Sequence, residues 1–292
     1  MRNVTKAVIT AAGFGTRFLP ATKTVQKEML PIVDTPTLHY IVEEAVKSGI
    51  KDIIIVTKSG NNTVEDYFDS LTHIESYLEK TKKYELLEKM RQTIKMANFA
   101  FVRQNNTLPY GNGSPLLAAK PFLGNENFVV AWGDDLTISD VPVTKQLIDY
   151  FVEREDAEAV MGVQEMLPEE VIRYAAVKLK ENSTDQLDYL IEKPKLGTQP
   201  SNLVSYGRYV CTAKIFDFLK PELTGKDNEL WFPEALDRLA KDYKVLVKKV
   251  EGKWLTTGDP LRFIKTTLEF ALRREDLRDG VMQYMKELTN VV

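Results

Sequence analysis

The chain has 292 residues and a net charge of -3, which allows one large α/β domain or two small ones and gives no electrostatic signal for nucleic-acid binding. Its single cysteine, Cys211, excludes an internal disulfide framework and a multi-cysteine zinc site. Apolar runs stay well short of the roughly 20 residues that span a bilayer. The sequence also reaches a predicted strand without a signal peptide, so we expect a cytoplasmic protein that does not contact membranes.

The first predicted element is a buried strand at 7–9, where three apolar residues come together. It leads into a turn with Gly13 and Gly15, where the backbone can approach a ligand closely and present its N–H groups. Three cations follow within one short loop: Arg17, Lys23 and Lys27. Cations directly after a glycine turn suit a polyphosphate, since a guanidinium can bind two phosphate oxygens at once.

Two common phosphate-binding motifs do not describe this loop. The dinucleotide fingerprint G-x-G-x-x-G needs a third glycine where this chain has Phe18. The P-loop pattern G-x-x-x-x-G-K-[ST] is absent as well. The sequence therefore predicts a phosphate-binding turn of another kind.

Strands and helices alternate along the rest of the chain. Apolar runs predict strands at 53–57, 99–102, 128–132, 157–163, 187–191 and 243–250. Periodic patterns predict helices at 36–49, with Thr35 as the cap, and at 64–95, 115–120, 143–153, 232–239 and 261–288. This order predicts right-handed βαβ connections and an α/β fold with a Rossmann-like, mixed, mostly parallel sheet flanked by helices. Ligands bind beyond the carboxyl ends of such strands, where the glycine turn lies.

An acid pair, Asp134 and Asp135, comes directly after the predicted strand at 128–132. At the carboxyl end of a parallel strand, such a pair suits Mg²⁺, which takes hard oxygen ligands and usually keeps substrate phosphates in its coordination shell. The acid pair and the glycine turn are therefore expected at the same edge of the sheet.

The longer string around the glycine turn is more specific than the turn alone. It runs from Gly13-Phe14-Gly15-Thr16-Arg17 through Pro20 to Lys27-Glu28-Met29-Leu30-Pro31. It resembles the signature of the sugar-phosphate nucleotidyltransferases, which make nucleotide sugars from a nucleoside triphosphate and a sugar 1-phosphate. The resemblance covers about residues 4–275. It implies one nucleotidyltransferase domain over residues 1–292, with a helical insertion at about 64–97 and a C-terminal helical region at about 260–292.

The resemblance assigns the nucleotide side of the site. It implies that Arg17 and Lys27 are catalytic and hold the triphosphate. It implies that Gln104 hydrogen-bonds the uracil edge, where an amide offers the donor and the acceptor that the imide requires. Further nucleotide-binding residues implied by the resemblance are Ala12, Gly13, Gly15, Glu28 and Gly111.

The sugar-phosphate side is assigned in the same way. The resemblance implies that Lys193 is catalytic and meets the sugar phosphate, and that Glu192 accepts hydrogen bonds from sugar hydroxyls. Ala175 and Gly207 are the other implied sugar-phosphate-binding residues. Ala175 stands where the family usually has a glycine against the sugar, and its methyl group leaves the identity of the hexose open.

The resemblance assigns the Mg²⁺ cofactor to Asp134, while Asp135 either orients this ligand or contacts the sugar. Where the family usually has Tyr-Asp-x-Gly, with a second acidic ligand, this chain has Leu255-Thr256-Thr257-Gly258. A neutral hydroxyl is a poorer Mg²⁺ ligand than a carboxylate. Three interpretations are open: Asp134, waters and phosphates hold the ion alone, Asp259 supplies a second carboxylate, or the protein is weakly active or inactive.

The predicted helices at 64–97 resemble an insertion typical of bacterial-type UTP–glucose-1-phosphate uridylyltransferases, which favours UTP and glucose 1-phosphate as substrates. One alternative is another substrate pair, such as dTTP with glucose 1-phosphate or UTP with a different sugar phosphate. The other is a non-catalytic nucleotide-sugar-binding protein, which Thr256 leaves open. The resemblance also implies a homodimer or homotetramer.

Overall fold

The computed structural model describes residues 2–60 and 62–289. In these ranges the strands are β1 Val4–Ala11, β2 Pro31–Ile32, β3 Thr35–Pro36, β4 Asp52–Thr57, β5 Asn98–Arg103, β6 Asn127–Trp132, β7 Asp135–Ile138, β8 Ala157–Glu165, β9 Ala175–Leu179, β10 Leu187–Glu192, β11 Leu203–Cys211, β12 Lys244–Lys249 and β13 Lys253–Thr256. The α-helices are α1 Thr37–Lys47, α2 Thr63–Tyr67, α3 Thr72–Lys80, α4 Tyr84–Lys95, α5 Ser114–Leu123, α6 Val143–Val152, α7 Pro168–Val171, α8 Phe232–Asp242, α9 Pro260–Ala271 and α10 Glu275–Thr289. The end of the predicted C-terminal helical region, residues 290–292, lies outside the described residues.

A mixed sheet lies at the centre of the fold. Strands β5, β4, β1 and β6 run side by side in parallel, which confirms the predicted parallel arrangement. Beyond β6 the sheet continues through the antiparallel strand β11, which also pairs with β8 and β9. The carboxyl ends of β1 and β6, which precede the glycine turn and the acid pair, therefore lie next to each other.

Both faces of this sheet are buried. In β1, Ala7 and Ile9 pack into one core together with side chains of α1 and α6. Val8 points the other way, into a second core that includes side chains of α5 and α8. Burial on both faces explains why the central strands are continuous apolar runs rather than alternating ones. In the part of the chain that the structure describes, no helix combines the length and apolar character needed to cross a membrane.

The structure corrects the predicted start of the first helix. Thr35 is not a helix cap, because it lies in β3 and pairs with Ile32 of β2. Val33 has a positive φ of 63° in the tight connection between these strands. Helix α1 therefore begins only at Thr37, and the residue at its N-cap makes no side-chain hydrogen bond. The predicted helical stretch at 64–95 is present as the three helices α2, α3 and α4.

Two short strands that the sequence did not predict follow and flank the acid pair. Strand β7 begins at Asp135 and pairs with β13 in an antiparallel ladder, so Thr256 lies opposite Asp135. Each strand has four residues. Such short strands, far apart in the chain, give little periodicity from which to predict a pairing.

Candidate active site

Two cavities open beside the glycine turn and the acid pair. The larger has a volume of about 1000 Å³, and the predicted site residues in its lining are Ala12, Gly13, Lys27, Glu28, Gln104, Gly111, Asp134 and Lys193. The smaller has a volume of about 490 Å³, and the predicted site residues in its lining are Arg17, Asp134, Asp135, Ala175, Glu192 and Lys193. The structure therefore brings together residues that are spread over most of the chain.

Asp134 and Lys193 line both cavities. An anion and a cation thus stand at the boundary between the two spaces, within reach of a ligand in either one. Three further residues share this boundary: Asn112, Trp132 and Trp231. Two phosphorylated ligands, one in each cavity, would meet at Asp134 and Lys193.

The two glycines of the turn have different roles. Gly13 lines the larger cavity, and its carbonyl accepts a hydrogen bond of 3.1 Å from Nζ of Lys58. Gly15 is outside both linings and has a φ of 64°, and a Cβ there would lie 3.1 Å from Cγ2 of Thr22. Gly15 therefore shapes the turn. The third predicted cation, Lys23, is exposed and lines neither cavity.

Lys27, Glu28 and Asp134 form a partly buried charge cluster. The ammonium of Lys27 donates a hydrogen bond to Oδ2 of Asp134 and lies 3.7 Å from Oε1 of Glu28. Burial by itself lowers the pKa of Lys27, but the charges of Asp134 and Glu28 outweigh it and raise that pKa above its usual value. Burial likewise opposes ionisation of Asp134, yet Lys27 holds its pKa below the usual range. The ammonium and the Asp134 carboxylate are therefore both charged near neutral pH.

The pKa values of Glu28 and Asp135 are raised, whereas that of Asp134 is lowered. Burial raises the pKa of Glu28 to about 7, against the opposing effect of Lys27. Burial and the neighbouring charge of Asp134 raise the pKa of Asp135 to about 7. The Asp135 carboxylate accepts a hydrogen bond of 2.9 Å from Nε1 of Trp254, and Asp135 lines only the smaller cavity. Asp134 is thus the carboxylate of this pair with the lower pKa, and it lines both cavities.

The loop that follows β5 is held by contacts with the segment before α8. Gln104 begins this loop, and its N–H donates to the carbonyl of Thr57 at 2.8 Å, which fixes it beside the end of β4. Gly111 has a φ of 131°, and a Cβ there would lie 2.4 Å from the carbonyl oxygen of Leu230. Only glycine fits this contact, because the neighbour is backbone that cannot rotate away.

The wall of the smaller cavity is built from strand pairing. Ala175 of β9 lies opposite Glu192 of β10, so two residues far apart in sequence form one surface. Gly207 does not line either cavity. It has a φ of 92°, and a Cβ there would lie 2.0 Å from Cδ1 of Trp132. Gly207 therefore makes room for the Trp132 indole, which does line the cavities.

The segment around Thr256 closes the smaller cavity near Asp134. The Thr256 hydroxyl accepts a hydrogen bond of 3.3 Å from the N–H of Gly258, whose carbonyl accepts one of 3.1 Å from Nη1 of Arg17. Asp259 is the N-cap of α9, and its Oδ2 accepts a hydrogen bond of 2.6 Å from Nη1 of Arg262. This engagement disfavours the interpretation in which Asp259 supplies a second metal ligand.

Several cavity residues were missed at the sequence level. Lys58 follows β4 directly, and that position at the end of a parallel strand was the available signal. Phe14 and Tyr110 stack with 5.7 Å between ring centroids and 16° between ring planes, and both rings line the larger cavity. Trp231 lies beneath Lys193, with Nζ 4.2 Å from the ring centroid. Nothing in the sequence indicated the two aromatic contacts, because each joins loops far apart in the chain.

A mostly parallel sheet whose glycine turn and acid pair frame two adjoining cavities defines a phosphate-handling enzyme of the nucleotidyl transferase class. The family model for nucleotidyl transferases matches residues 6–271. The chain belongs to this family, which confirms the resemblance drawn from its sequence.

Individual relatives and solved structures give a more specific resemblance than the family model does. The chain is 43% identical over 290 residues to the UTP–glucose-1-phosphate uridylyltransferase of Staphylococcus epidermidis, covering 99% of both proteins. It resembles a UDP-glucose pyrophosphorylase complexed with UDP-glucose, with a TM-score of 0.82, 33% identity, and coverage of 93% of this chain and 100% of the other. It also resembles a UTP-bound UGPase from Acinetobacter baumannii, with a TM-score of 0.88, 32% identity, and coverage of 98% and 100%.

Proposed function

We propose that this protein is a uridylyltransferase that converts UTP and glucose 1-phosphate into UDP-glucose and pyrophosphate. The observation that carries the proposal is the position of Asp134 and Lys193 at the boundary of two adjoining cavities. UTP would occupy the larger cavity and glucose 1-phosphate the smaller one. The names of the relatives support this pair of substrates.

The reaction is a direct displacement. A phosphate oxygen of glucose 1-phosphate attacks the α-phosphorus of UTP, the new P–O bond forms, and the bond to the β-phosphate oxygen breaks to release pyrophosphate. The attacking phosphate is already ionised near neutral pH, so the protein needs no general base. Catalysis then comes from positioning and from charges held ready around the transferring phosphorus.

The charged residues divide this work between them. Lys27 would neutralise charge near the α-phosphorus, and its pairing with Asp134 keeps the ammonium protonated. The resemblance implies that Arg17 holds the leaving pyrophosphate, but Arg17 lines the smaller cavity and not the larger one, so its guanidinium would bind phosphate oxygens where the two cavities adjoin. Lys193 would place the attacking phosphate, and Glu192 would accept hydrogen bonds from the sugar hydroxyls.

The remaining assigned residues shape the nucleotide side. Gln104 would pair with the uracil edge, and Gly111 would let the backbone lie against the base. Ala12, Gly13 and Glu28 would line the ribose and phosphate path, and Gly15 would keep the turn in the conformation that path requires.

The donor atoms at the boundary suit Mg²⁺. Asp134 offers an ionised carboxylate towards both cavities, and hard oxygen donors are what Mg²⁺ prefers. Among residues 2–60 and 62–289 there is no cluster of three or more acidic, histidine or cysteine side chains able to hold a metal. Asp134 would therefore hold the ion together with substrate phosphates and water. When bound, Mg²⁺ neutralises phosphate charge in such reactions.

A screen for pyrophosphate release tests the proposal. Purified protein with Mg²⁺ is given each nucleoside triphosphate with each of several hexose 1-phosphates. We expect the highest kcat/KM for UTP with glucose 1-phosphate. A clear preference for dTTP, or for another sugar phosphate, would overturn the proposed substrate pair.

Thr256 favours one second candidate, a nucleotide-sugar-binding protein without turnover, because it stands where the resemblance implies a second acidic ligand. Such a protein would bind UDP-glucose but release no pyrophosphate from UTP and glucose 1-phosphate. We further propose a cytoplasmic location and a homodimer or homotetramer, the latter to be measured by sedimentation.

A further inference from the structure

Trp231 is held in place by the loop proposed to bind the nucleotide base. The neighbouring residue Leu230 donates its N–H to the carbonyl of Tyr110 at 2.7 Å and accepts from the N–H of Gly113 at 2.8 Å. On the other side, the N–H of Phe232 donates to Oδ1 of Asn112 at 2.7 Å. These hydrogen bonds flank Trp231, which is 8% exposed and lines both cavities. The backbone on both sides of the indole is therefore held in place.

The backbone of Lys193 is held by a hydrogen bond, and its ammonium group lies against the Trp231 ring. Its φ of 45° lies in the left-handed region, which non-glycine residues seldom adopt, and its N–H donates to the carbonyl of Tyr174 at 3.0 Å. Its ammonium lies 4.2 Å from the centroid of the Trp231 ring and 3.9 Å from Oε1 of Glu192. Strained backbone of this kind persists only where surrounding contacts hold it, and it often marks a functional position.

We propose that Trp231 is a positioning residue that holds the Lys193 ammonium at the boundary of the two cavities, where the attacking phosphate must lie. This inference rests on the proposed function. A lysine head on a flexible four-carbon stem samples many rotamers, and the ring face restricts it through cation–π attraction. An aromatic face leaves the full positive charge available, whereas a second carboxylate in its place would partly neutralise that charge. The attraction is weak enough for a phosphate to compete with it.

Trp231→Leu and Trp231→Phe test this role, because leucine removes the π face and phenylalanine keeps one. For Trp231→Leu we expect kcat/KM for glucose 1-phosphate to fall about tenfold, within the range of cation–π effects, with KM for UTP little changed. Trp231→Phe should recover most of the loss. The control is Tyr243→Leu, which removes a comparable contact with Lys214, where Nζ lies 5.2 Å from the ring centroid. Tyr243 lines neither cavity, so this variant should retain wild-type kinetics.

A double-variant comparison separates positioning from a general structural effect. In a Lys193→Met background, Trp231→Leu should add less than a twofold further loss, because its partner is already gone. An equal loss with and without Lys193, or identical behaviour of the Leu and Phe variants, would overturn the proposal.

Equilibrium affinity for UDP-glucose gives a second measurement that does not depend on turnover. Trp231→Leu should weaken it several-fold and Trp231→Phe should largely restore it. If the wild-type protein releases no pyrophosphate from any substrate pair, the proposed function fails. The affinities of the same variants for UDP-glucose still decide whether Trp231 positions Lys193, and an unchanged affinity in Trp231→Leu would reject that role.

Discussion

The ammonium of Lys27 donates a hydrogen bond to Oδ2 of Asp134, which joins the cationic loop after β1 to the acid that follows β6. This contact crosses the ends of two adjacent parallel strands. It means that the lysine proposed to face the transferring phosphorus and the proposed metal ligand are positioned by each other. Removing either one takes away the strongest opposite charge acting on the other in a mostly buried place.

We therefore expect Asp134→Asn to lower kcat for UDP-glucose formation by roughly a hundredfold to a thousandfold, the usual effect of losing one charge contact to the transition state. The substitution keeps the shape of the side chain and removes its charge. Asp140→Asn, the same change at an exposed aspartate outside both cavities, is the control. Pyrophosphate release at saturating substrates measures both, and a kcat within threefold of wild type in Asp134→Asn would refute the assignment.

Gly111→Ala is expected to act on nucleotide binding. A Cβ would approach the carbonyl oxygen of Leu230 to 2.4 Å, and the positive φ adds strain of about 1–3 kcal/mol. The loop after β5, which contains Gly111, must shift, so KM for UTP should rise at least tenfold, while KM for glucose 1-phosphate changes less. Gly124→Ala is matched to it, because Gly124 also has a positive φ, of 59°, but has open space around its Cβ. A similar rise in KM for UTP in both variants would mean that strain alone is responsible.

Arg208 is a buried cation that contacts the backbone of the acid pair. Its guanidinium pairs with Glu44, with Nε 3.1 Å from Oε1, and Nη2 donates to the carbonyl of Asp135 at 2.7 Å. Arg208→Met should lower the free energy of unfolding by about 3–5 kcal/mol, because the carboxylate of Glu44 loses its partner in a buried place. Urea unfolding measures this change.

The matched control is Asp149→Asn, which removes the exposed pair between Lys145 and Asp149. Exposed pairs of this spacing contribute only about 0.3–0.5 kcal/mol. If both variants lose similar amounts of stability, the Arg208 pair is not a structural support of the acid segment.

The sequence predicted most of what local patterns can encode. Apolar runs such as the one at 53–57 located the parallel strands, and strand order placed the glycine turn and Asp134 at one edge of the sheet. The predicted residues Glu192 and Ala175 do share a cavity wall, but only the register of β9 and β10 shows that they lie opposite each other.

What the sequence could not predict depends on long-range contacts. Threonine is a residue type that often caps helices. Thr35 instead pairs with Ile32 in a two-residue ladder, which overrides that preference. The contact of Trp231 with Lys193 depends on the hydrogen bonds that hold the segment before α8 against the loop after β5. Lys23 lies among cations in the sequence but is exposed and lines neither cavity.

The last prediction concerns Thr256, whose place opposite Asp135 puts it beside the proposed metal ligand. Thr256→Asp adds a carboxylate near Asp134 and Asp135, so without a divalent cation the like charges should destabilise the fold. Mg²⁺ should then raise the melting temperature of this variant more than that of the wild type, because an ion that binds the folded state stabilises it. The Mg²⁺ concentration for half-maximal pyrophosphate release should also fall. Thr256→Asn, which adds a similar volume without charge, should show neither effect. Equal Mg²⁺ responses in Thr256→Asp and Thr256→Asn would mean that residue 256 lies outside the reach of the ion, and that Asp134 with the substrates' phosphates is sufficient to hold it.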